Sequence, residues 1–310
     1  MVKTVLVTGG TGLVGSAINS IKNVYPWYHF VFLDSKKCNL LNFDSTISLF
    51  REIQPNYVIH LAACVGGLFK NMSQKVKMLE ENLLINTNVL KCSNLVGVER
   101  LVACLSTCIF PDSTEYPINE SMINNGPPHS SNEGYAYSKR ILEIQCKTYN
   151  EQYSTKYFCV IPTNIYGPSD NFNLEDSHVI PGLIHRCFLA SKSNETFVVK
   201  GTGSPLRQFI YSGDLAKIII ELLMDHSSTD SVIITPKEEH SIKSIAEMIN
   251  SHFGCKIEFD PNFSDGQFRK TADNSKLMSI FPDLKFTSIS TGISETVEWF
   301  KKKYPNVRLY

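Results

Sequence analysis

A tyrosine and a lysine four residues apart form the first pair in this sequence that suggests chemistry. Tyr135 and Lys139 stand in the segment YAYSK, and an i, i+4 spacing places both side chains on one face of a helix. A phenol with a pKa near ~10 is a poor acid at neutral pH, but a neighbouring ammonium favours the phenolate and lowers that pKa. Tyr137 lacks this spacing. Tyr135 is therefore the predicted acid, although a surface Tyr/Lys pair would show the same pattern.

A serine and a cysteine stand close together at the end of an apolar run. In CLSTCIFP, residues 104–111, Ser106 and Cys108 are two positions apart. If this run is a strand, its period of two points both side chains to the same face of the sheet. Ser106 could then hydrogen-bond a carbonyl while the Cys108 thiol exchanges protons near neutral pH. A small buried hydrophobe is the ordinary alternative for Cys108, and zinc is a poor one, because strand spacing holds Cys104 about 13 Å away.

The segment VTGGTGLVG has the glycine spacing of a dinucleotide site. Gly9, Gly12 and Gly15 lie between a predicted strand and a predicted helix, where glycine permits a tight turn and a close approach of main-chain N–H groups to a pyrophosphate. The spacing alone is weak evidence, but its place in a strand, turn and helix pattern predicts a bound dinucleotide. A turn kept for close packing is the alternative.

The residues after the second predicted strand leave the choice of dinucleotide open. Asp34 ends the segment HFVFLD, where an acidic residue can accept hydrogen bonds from the ribose hydroxyls of NAD. Lys36 and Lys37 follow, and lysines at this turn can instead neutralise the extra phosphate of NADP. An ordinary polar turn fits all three residues almost as well.

The elements that must position these residues alternate along the first half of the chain. Strands are predicted at KTVLVT, HFVFLD, NYVIHLAA, RLVACLS and KYFCVIP, and helices from about Leu13, after Asp44 and over YAYSKRILEIQCKTYNEQY. This alternation predicts an α/β fold with a Rossmann-like, doubly wound parallel sheet. Ser106 lies at the carboxyl end of the fourth predicted strand, where open α/β sheets bind their ligands.

The alternating pattern changes at about Asn164. Gly, Pro, Asn and Asp crowd the segment TNIYGPSDNFNLEDSHVIPG, which predicts a substrate-facing loop. The later segment RQFIYSGDLAKIIIELLM again indicates strand, turn and helix. We therefore expect a cofactor-binding domain over residues 1–163, to which residues 207–232 return, and a smaller mixed α/β lobe over residues 164–310 that binds mainly substrate.

Charge and cysteine content exclude several classes of protein. The 310 residues carry thirty Lys and Arg and thirty Asp and Glu, so no basic field indicates nucleic acid or an anionic membrane. The sequence shows neither a signal peptide nor an apolar run near the ~20 residues of a membrane span. Nine cysteines without paired spacing suit a reducing compartment. We expect a cytoplasmic protein that acts on a small molecule and holds no metal.

Together, the glycine turn, Ser106, Tyr135 and Lys139 resemble the short-chain dehydrogenase/reductase superfamily, and the chain length resembles its extended, nucleotide-sugar-modifying branch. A narrower resemblance rests on seven segments in order: HLAACVGG, STCIFP, NGPPHSSNEGYAYSK, IPTNIYGPSDNF, DSHVIPGLIHR, GTGSPLRQFIYS and SDGQFRKTADNSKL. They resemble the GDP-L-fucose synthase family of 3,5-epimerase-4-reductases. This resemblance implies a homodimer that converts GDP-4-keto-6-deoxy-D-mannose to GDP-L-fucose with NADPH.

The resemblance also implies a role for each candidate catalytic residue. Cys108 and His178 match the acid/base pair that inverts carbons 3 and 5, whose protons are acidic beside the carbon-4 ketone. Tyr135 would protonate the alkoxide as hydride reaches carbon 4, Lys139 would hold the cofactor ribose, and Ser106 would polarise the ketone. A solvated loop histidine is the alternative for His178.

The remaining expected contacts follow from the same resemblance. The cofactor would meet Lys139, His178, Gly9, Gly10, Thr11, Gly12, Leu13, Val14, Gly15, Ser35, Lys36, Leu61, Ala62, Ala63, Pro162, Asn164 and Ile165. The substrate would meet Arg186, Lys200, Arg207, Asp265 and Lys270. Guanidinium groups bind diphosphate in fork geometry, although surface salt bridges are an alternative for these positions. Lys200 stands where some family members have tryptophan, which puts aromatic stacking on the guanine in doubt.

Two rival functions stay open on the sequence. One is another nucleotide-sugar epimerase or dehydratase of the superfamily, and Cys108 and His178 argue against it, because a 4-epimerase needs no second acid/base pair. The other is a non-catalytic NADP-sensing protein, against which the intact pair of Tyr135 and Lys139 argues.

Overall fold

The secondary structure alternates between strand and helix through the first half of the chain. We analysed a computed structural model, which describes residues 2–225, 227–265 and 267–309, without the side chains of residues 68 and 69. The strands are β1 (Lys3–Thr8), β2 (Tyr28–Leu33), β3 (Tyr57–His60), β4 (Arg100–Cys104), β5 (Tyr157–Pro162), β6 (Asn164–Tyr166), β7 (Phe197–Lys200), β8 (Leu206–Arg207), β9 (Phe209–Tyr211), β10 (Val232–Ile234), β11 (His240–Ser241) and β12 (Ile257–Asp260). The helices are α1 (Leu13–Ile21), α2 (Phe43–Ile53), α3 (Leu68–Ser73), α4 (Lys75–Leu95), α5 (Glu133–Tyr153), α6 (Val179–Ser193), α7 (Ser212–Asp225), α8 (Ile242–Asn250), α9 (Ser275–Ile280) and α10 (Ile289–Lys303).

Six of these strands form one parallel sheet, in the order β10, β5, β4, β3, β1, β2. The strand order reverses between β1 and β3, and ligands of such sheets bind outside the carboxyl ends of the strands at this switch point. Strands β3 and β5 are buried along their whole length, which explains their unbroken apolar sequence. The predicted α/β fold class with a doubly wound parallel sheet is confirmed.

Helices cover both faces of the sheet. Because successive side chains of a strand point to opposite faces, neighbouring residues of one strand pack against different helices. Leu6 of β1 packs in the core beneath α2, α4 and α5, together with Phe50. Its neighbours Val5 and Val7 pack on the opposite side, beneath α1 and α7, with Ile18. All five are fully or almost fully buried, and each such side chain stabilises the fold by about 1.5–3 kcal/mol.

The chain after Thr163 differs from the predicted loop. It begins with β6, which pairs in parallel with β9, because Ile165 and Tyr166 form a short apolar run ahead of the Gly and Pro that follow. The strand-like part of RQFIY forms β9, which pairs with β6, while Arg207 lies in β8, which pairs with β11; both lie outside the six-stranded sheet. Helix α7 and strand β10 do pack into the first unit.

A third core holds together most of the chain beyond β6. Helices α6, α8 and α10 contribute buried Ile184, Ile245, Val297 and Phe300, which pack with Phe172. Strands β7 and β12 pair in parallel beside them. Helix α9 instead places Leu277 in the core beneath α1 and α7. No helix in the described residues combines the length and apolar character that a membrane span requires.

Candidate active site

The glycine turn joins the end of β1 to the start of α1 at close range. Gly9 has a φ of +68°, a conformation that glycine adopts without strain. The Gly10 amide donates to the Leu33 carbonyl at 2.7 Å, and a Cβ on Gly15 would lie 2.5 Å from the Gly9 oxygen. The turn therefore tolerates no side chain at these positions, because the backbone of β1, β2 and α1 meets there.

The first turn of α1 presents free main-chain donors. Gly12 is the N-cap of α1, and no side chain caps this end. A Cβ at Gly12 would meet only the Gly9 oxygen, at 3.3 Å. The N–H groups at the start of α1, near Leu13 and Val14, carry the positive end of the helix dipole, which suits a pyrophosphate. The residues at the turn thus fit the expected dinucleotide.

The turn after β2 commits the Asp34 carboxylate to the protein's own backbone. Its Oδ1 accepts from the amides of Lys36 and Lys37, at 3.0 Å each. Ser35, Lys36 and Lys37 are exposed, and the Lys37 Nζ donates to the Phe32 carbonyl at 3.2 Å. An acidic residue occupied in this way shapes the turn, and the basic side chains face solvent beside it. The exposed lysines of this turn suit the extra phosphate of NADP.

A buried chain of polar groups positions the segment after β3, and sequence reasoning missed it. Thr8 Oγ1 accepts from the amides of Leu61 and Ala62, at 3.2 Å each. The same oxygen lies 2.8 Å from Nδ1 of His60, whose Nε2 lies 3.0 Å from Oδ1 of Asn86. The Thr8 hydroxyl therefore holds Leu61 and Ala62, which are expected to contact the cofactor, and the His60 imidazole fixes that hydroxyl.

The His60 imidazole is neutral in this chain. Burial, followed by the charge of Lys139, lowers its pKa to about 3. Since Asn86 Oδ1 can only accept, the proton lies on Nε2 and the Thr8 hydroxyl donates to Nδ1. The Asn86 Nδ2 lies 3.5 Å from the Ser138 carbonyl oxygen on α5. This series of polar contacts therefore extends to the helix that carries Lys139. In the sequence, the one indication of this network is that a histidine, His60, ends an apolar strand.

Ser106 and Cys108 share a turn, and the predicted common strand face is wrong. Strand β4 ends at Cys104, and the backbone then folds into a 3-10 helix over residues 107–109, with Ser106 as its N-cap. The Ser106 Oγ accepts from the Cys108 amide at 3.4 Å. Burial raises the pKa of the Cys108 thiol, while the charge of Lys270 and the Ser106 hydroxyl oppose that shift.

Tyr135 and Lys139 lie near the start of α5, beside the thiols of the β4 turn. The Lys139 Nζ donates to the Cys104 carbonyl at 2.7 Å and lies 5.8 Å from the Tyr135 ring centroid. Burial lowers the pKa of Lys139. Burial, with Cys108, Cys104 and Cys64 nearby, raises the pKa of Tyr135 well above its usual range. The predicted lowering of the Tyr135 pKa is therefore wrong for this structure, because burial of the phenol dominates and the Lys139 ammonium donates to a carbonyl. A neutral phenol still suits the predicted proton donor.

His178 begins the second lobe's first helix. It is the N-cap of α6 and is exposed, while desolvation by the surrounding protein, followed by the charge of Arg308, lowers its pKa. A Cβ on Gly67 would lie 3.2 Å from the Asp176 carbonyl oxygen, so the loop before His178 packs against the segment after β3. The described contacts do not join His178 to Cys108, and their pairing stays a prediction.

Two predicted substrate residues hold a surface loop in place. Nη2 and Nη1 of Arg207 donate to the carbonyls of Gln267, at 2.5 Å, and Phe268, at 3.3 Å. The Asp265 carboxylate accepts from the amide of Thr202, at 2.7 Å, and from its hydroxyl, at 2.6 Å. These bonds fix the loop before Lys270 against β8 and the turn that follows β7.

The other predicted substrate residues occupy three different places. The Lys200 Nζ lies 4.7 Å above the Phe263 ring. Burial lowers the pKa of Lys270, and the neighbouring Cys108 works against that shift. Arg186 lies on α6, where burial lowers its pKa. Lys270 is therefore the one of these three that stands beside a candidate catalytic group.

The last expected cofactor residues lie at the ends of β3 and β5. Ala63 follows Leu61 and Ala62, and Pro162 is buried in β5. The Asn164 Nδ2 donates to the Gln208 carbonyl at 2.8 Å. Ile165 packs on the core beneath α1 and α7. Within the described residues, no three His, Cys, Asp or Glu side chains cluster as a metal ion would require.

Known proteins share this fold and sequence. Residues 5–234 match the NAD dependent epimerase/dehydratase family. The chain is 50% identical to the GDP-L-fucose synthase of Dictyostelium discoideum, over 99% of this chain and 98% of that protein. The chain belongs to the GDP-L-fucose synthase family. It is also 45% identical to the probable GDP-L-fucose synthase of Drosophila melanogaster, over 99% of both chains.

A solved structure extends the similarity to three dimensions. The GDP-L-fucose synthetase of Naegleria fowleri bound to NADP matches with a TM-score of 0.95 and 42% identity, over 99% of this chain and 95% of that chain. The predicted family is confirmed, and the predicted enzyme class and nicotinamide cofactor agree with this match.

Proposed function

We propose that this chain converts GDP-4-keto-6-deoxy-D-mannose to GDP-L-fucose, by epimerisation at carbons 3 and 5 and reduction of the 4-ketone. The observation that carries the proposal is the grouping of Cys108, Tyr135, Lys139 and the Ser106 cap where β4 ends, in a chain 50% identical along its length to a GDP-L-fucose synthase. NADPH would supply the hydride, and the glycine turn would hold it.

The reduction needs a proton donor for the developing alkoxide. The Tyr135 phenol is protonated at neutral pH and can donate this proton, and the nearby Lys139 charge would favour the phenolate that forms. Lys139 is fixed by the Cys104 carbonyl, which holds its charge close to the phenol as negative charge forms. The Ser106 hydroxyl stands at the carboxyl end of β4, where it could donate a hydrogen bond to the substrate carbonyl.

The epimerisations need one group that takes a proton and another that gives one. Desolvation raises the pKa of Cys108 and lowers that of His178, so the thiol is protonated and the imidazole is neutral near pH 7. Neutral His178 can accept a proton and the Cys108 thiol can donate one. Two titratable groups whose environments push their pKa values apart are typical of an acid/base pair.

We further propose that the cofactor is NADP(H) and that the enzyme works in the cytoplasm. The Asp34 Oδ1 accepts both amide hydrogen bonds of the turn, and the Lys36 and Lys37 side chains are exposed beside it, where they can reach the extra phosphate of NADP. All nine cysteines are free thiols, including Cys146 and Cys159, whose sulfurs lie 3.8 Å apart. Thiols this close remain reduced in a reducing compartment.

A homodimer is proposed through helices α4 and α5. Tyr137, Ile141 and Ile144 are exposed at i, i+4 and i+7 along α5, and Leu84 is half exposed on α4. The two helices pack side by side. Exposed apolar side chains on two packed helices support an interface here, and a second copy of the chain offers the same two helices.

Product analysis tests the proposed function. The protein is incubated with NADPH and GDP-4-keto-6-deoxy-D-mannose, and we expect GDP-L-fucose with one NADPH oxidised per product. Interconversion of a sugar nucleotide without net oxidation of NADPH would instead favour another epimerase or dehydratase. Binding of NADPH without turnover of the keto sugar would favour a sensing protein.

A further inference from the structure

Arg140 brings a buried positive charge to α5, directly after Lys139. The residue is 6% exposed, and its Nη2 is buried without a hydrogen-bond partner. The ion pairs found in the described part of the chain do not include it. Because a desolvated guanidinium without a carboxylate is costly, packing alone is a poor explanation for an arginine at this position.

A short hydrogen bond joins Arg140 to the turn that carries Cys108. The Arg140 Nε donates to the Ile109 carbonyl at 2.6 Å, and a bond from a charged donor is stronger than one between neutral groups. Ile109 is fully buried, and it ends the 3-10 helix that follows Ser106. The guanidinium therefore holds the far end of the turn, one residue beyond the thiol.

Lys139 holds the near end of the same segment. Its Nζ donates to the carbonyl of Cys104, where β4 ends. Successive residues of a helix point about 100° apart, so Lys139 and Arg140 reach different places from neighbouring positions. Ser106 and Cys108 lie between the two carbonyls that these cations bind.

The Tyr137 ring fixes the orientation of the Arg140 guanidinium. The guanidinium carbon lies 5.5 Å from the ring centroid, a distance at which a cation is attracted to an aromatic face. Tyr137 stands three residues earlier on α5, so the two side chains are neighbours on the helix surface. A planar guanidinium held by a ring and a carbonyl is more rigid than a lysine ammonium would be.

We propose that Arg140 is a positioning residue for epimerisation, which holds the Cys108 thiol at the sugar ring by fixing the Ile109 carbonyl. The proposal rests on the proposed function, in which Cys108 belongs to the acid/base pair. A displacement of about 1 Å can slow a reaction by roughly 10²-fold. Since Arg140 acts through the turn and not on the substrate, it should affect the rate of epimerisation and not the KM. Ser106 lies nearer the end held by Lys139, so reduction should depend less on Arg140.

Arg140→Met removes the donor and the charge but fills similar space, and loss of a buried unpaired charge is tolerated by many folds. We expect incorporation of solvent deuterium at the epimerised carbons to slow roughly tenfold at unchanged KM, with a smaller effect on reduction of a pre-epimerised ketone. Arg140→Lys returns a donor and should recover part of the rate. Arg51→Met, the same exchange at an exposed residue of α2, is the control and should change neither step. Equal slowing of both steps in Arg140→Met would overturn the proposal.

The same substitution in a Cys108→Ser chain tests whether Arg140 acts through the thiol. Substitutions that affect one functional group are not additive. With the thiol already absent, Arg140→Met should slow the residual epimerisation much less than it does in the unmodified chain. A loss of the same size in both backgrounds would show that Arg140 acts elsewhere and would overturn the proposal.

Hydrogen exchange separates this outcome from that of the proposed function. The amides of Ile109 and Phe110 donate to carbonyls of the same turn, and they should exchange roughly tenfold faster in Arg140→Met, because local opening exposes them. If the keto sugar is not turned over but this exchange accelerates, Arg140 holds the turn and the proposed reaction fails. If GDP-L-fucose is produced while exchange and epimerisation are unaltered in Arg140→Met, the reaction stands and the role of Arg140 fails.

Discussion

The Ser106 Oγ accepts a hydrogen bond from the Cys108 amide at 3.4 Å, so the serine caps the turn that carries the cysteine. Two groups with separate proposed roles, one at the ketone and one at the protons beside it, are therefore positioned by one short turn after β4. A change at either residue can displace the other. Variants at this turn should accordingly be compared on both half-reactions.

Replacement of the Cys108 thiol should separate the two half-reactions. In Cys108→Ser the hydroxyl keeps the size of the thiol but is a far weaker acid, so we expect epimerisation to slow by roughly 10²-fold. Incorporation of solvent deuterium at carbons 3 and 5 measures this step, and reduction of a pre-epimerised ketone should change much less. Cys255→Ser, in the second lobe, is the control for loss of a thiol. Equal slowing of both steps would remove Cys108 from the proton transfers.

Tyr135→Phe should abolish turnover while NADPH binding persists. The phenol is the proposed donor for the alkoxide, and loss of general acid catalysis costs about 10²- to 10⁴-fold. NADPH oxidation measures the rate, and quenching of protein fluorescence measures cofactor binding. Tyr137→Phe is the matched control, because Tyr137 lies two residues away on the same helix with an exposed ring. Normal turnover in Tyr135→Phe would exclude Tyr135 from the mechanism.

The sequence predicts those parts of the fold that depend on local pattern. Strands β1 to β5 and helix α5 follow from apolar runs and the glycine turn, because each signal lies within one segment. The Ser106 turn was missed because a strand period does not tell where the strand ends. The chain of Thr8, His60 and Asn86 joins three distant segments, and such a network depends on tertiary packing that no single segment encodes.

Buried His60 should make the protein less stable in acid. Its pKa in the folded chain is about 3, against 6.5 ordinarily, so only the unfolded chain binds this proton between those values. Stability is therefore unaffected by His60 above about pH 6.5 and falls by about 1.4 kcal/mol per pH unit as the pH drops toward 3. Urea unfolding between pH 8 and pH 4 measures the slope.

His60→Gln isolates this contribution, since His178 and His185 also have lowered pKa values. The variant should be less stable at pH 8, where the bond to Asn86 or Thr8 is weakened, but its stability should fall less steeply in acid. Parallel curves for the variant and the unmodified chain would show that His60 does not titrate as its burial requires.

A charge on the apolar surface of α4 and α5 should separate the proposed dimer. Leu84 and Ile144 are each about half exposed, at 50% and 49%, and burial of an unpaired carboxylate in an interface is costly. Leu84→Glu with Ile144→Glu should therefore sediment as a monomer, whereas the unmodified chain should sediment as a dimer. Val24→Glu replaces an apolar residue that is 68% exposed outside both helices, and it should leave the assembly unchanged. A dimer that survives the double substitution would place the interface elsewhere.

Reversal of the charge at Lys36 should raise the KM for NADPH but not the KM for NADH. The Lys36 side chain is exposed, and only the Lys36 backbone amide bonds to Asp34 in this turn. Lys36→Glu therefore keeps the turn and replaces the cation with an anion. We expect the KM for NADPH to rise roughly tenfold, as for the loss of a charge-assisted contact, while the KM for NADH is unchanged. Asp34→Asn is the contrasting variant: it weakens the two hydrogen bonds that shape the turn and should raise both constants. If Lys36→Glu weakens NADPH and NADH equally, the 2′-phosphate is recognised by other groups.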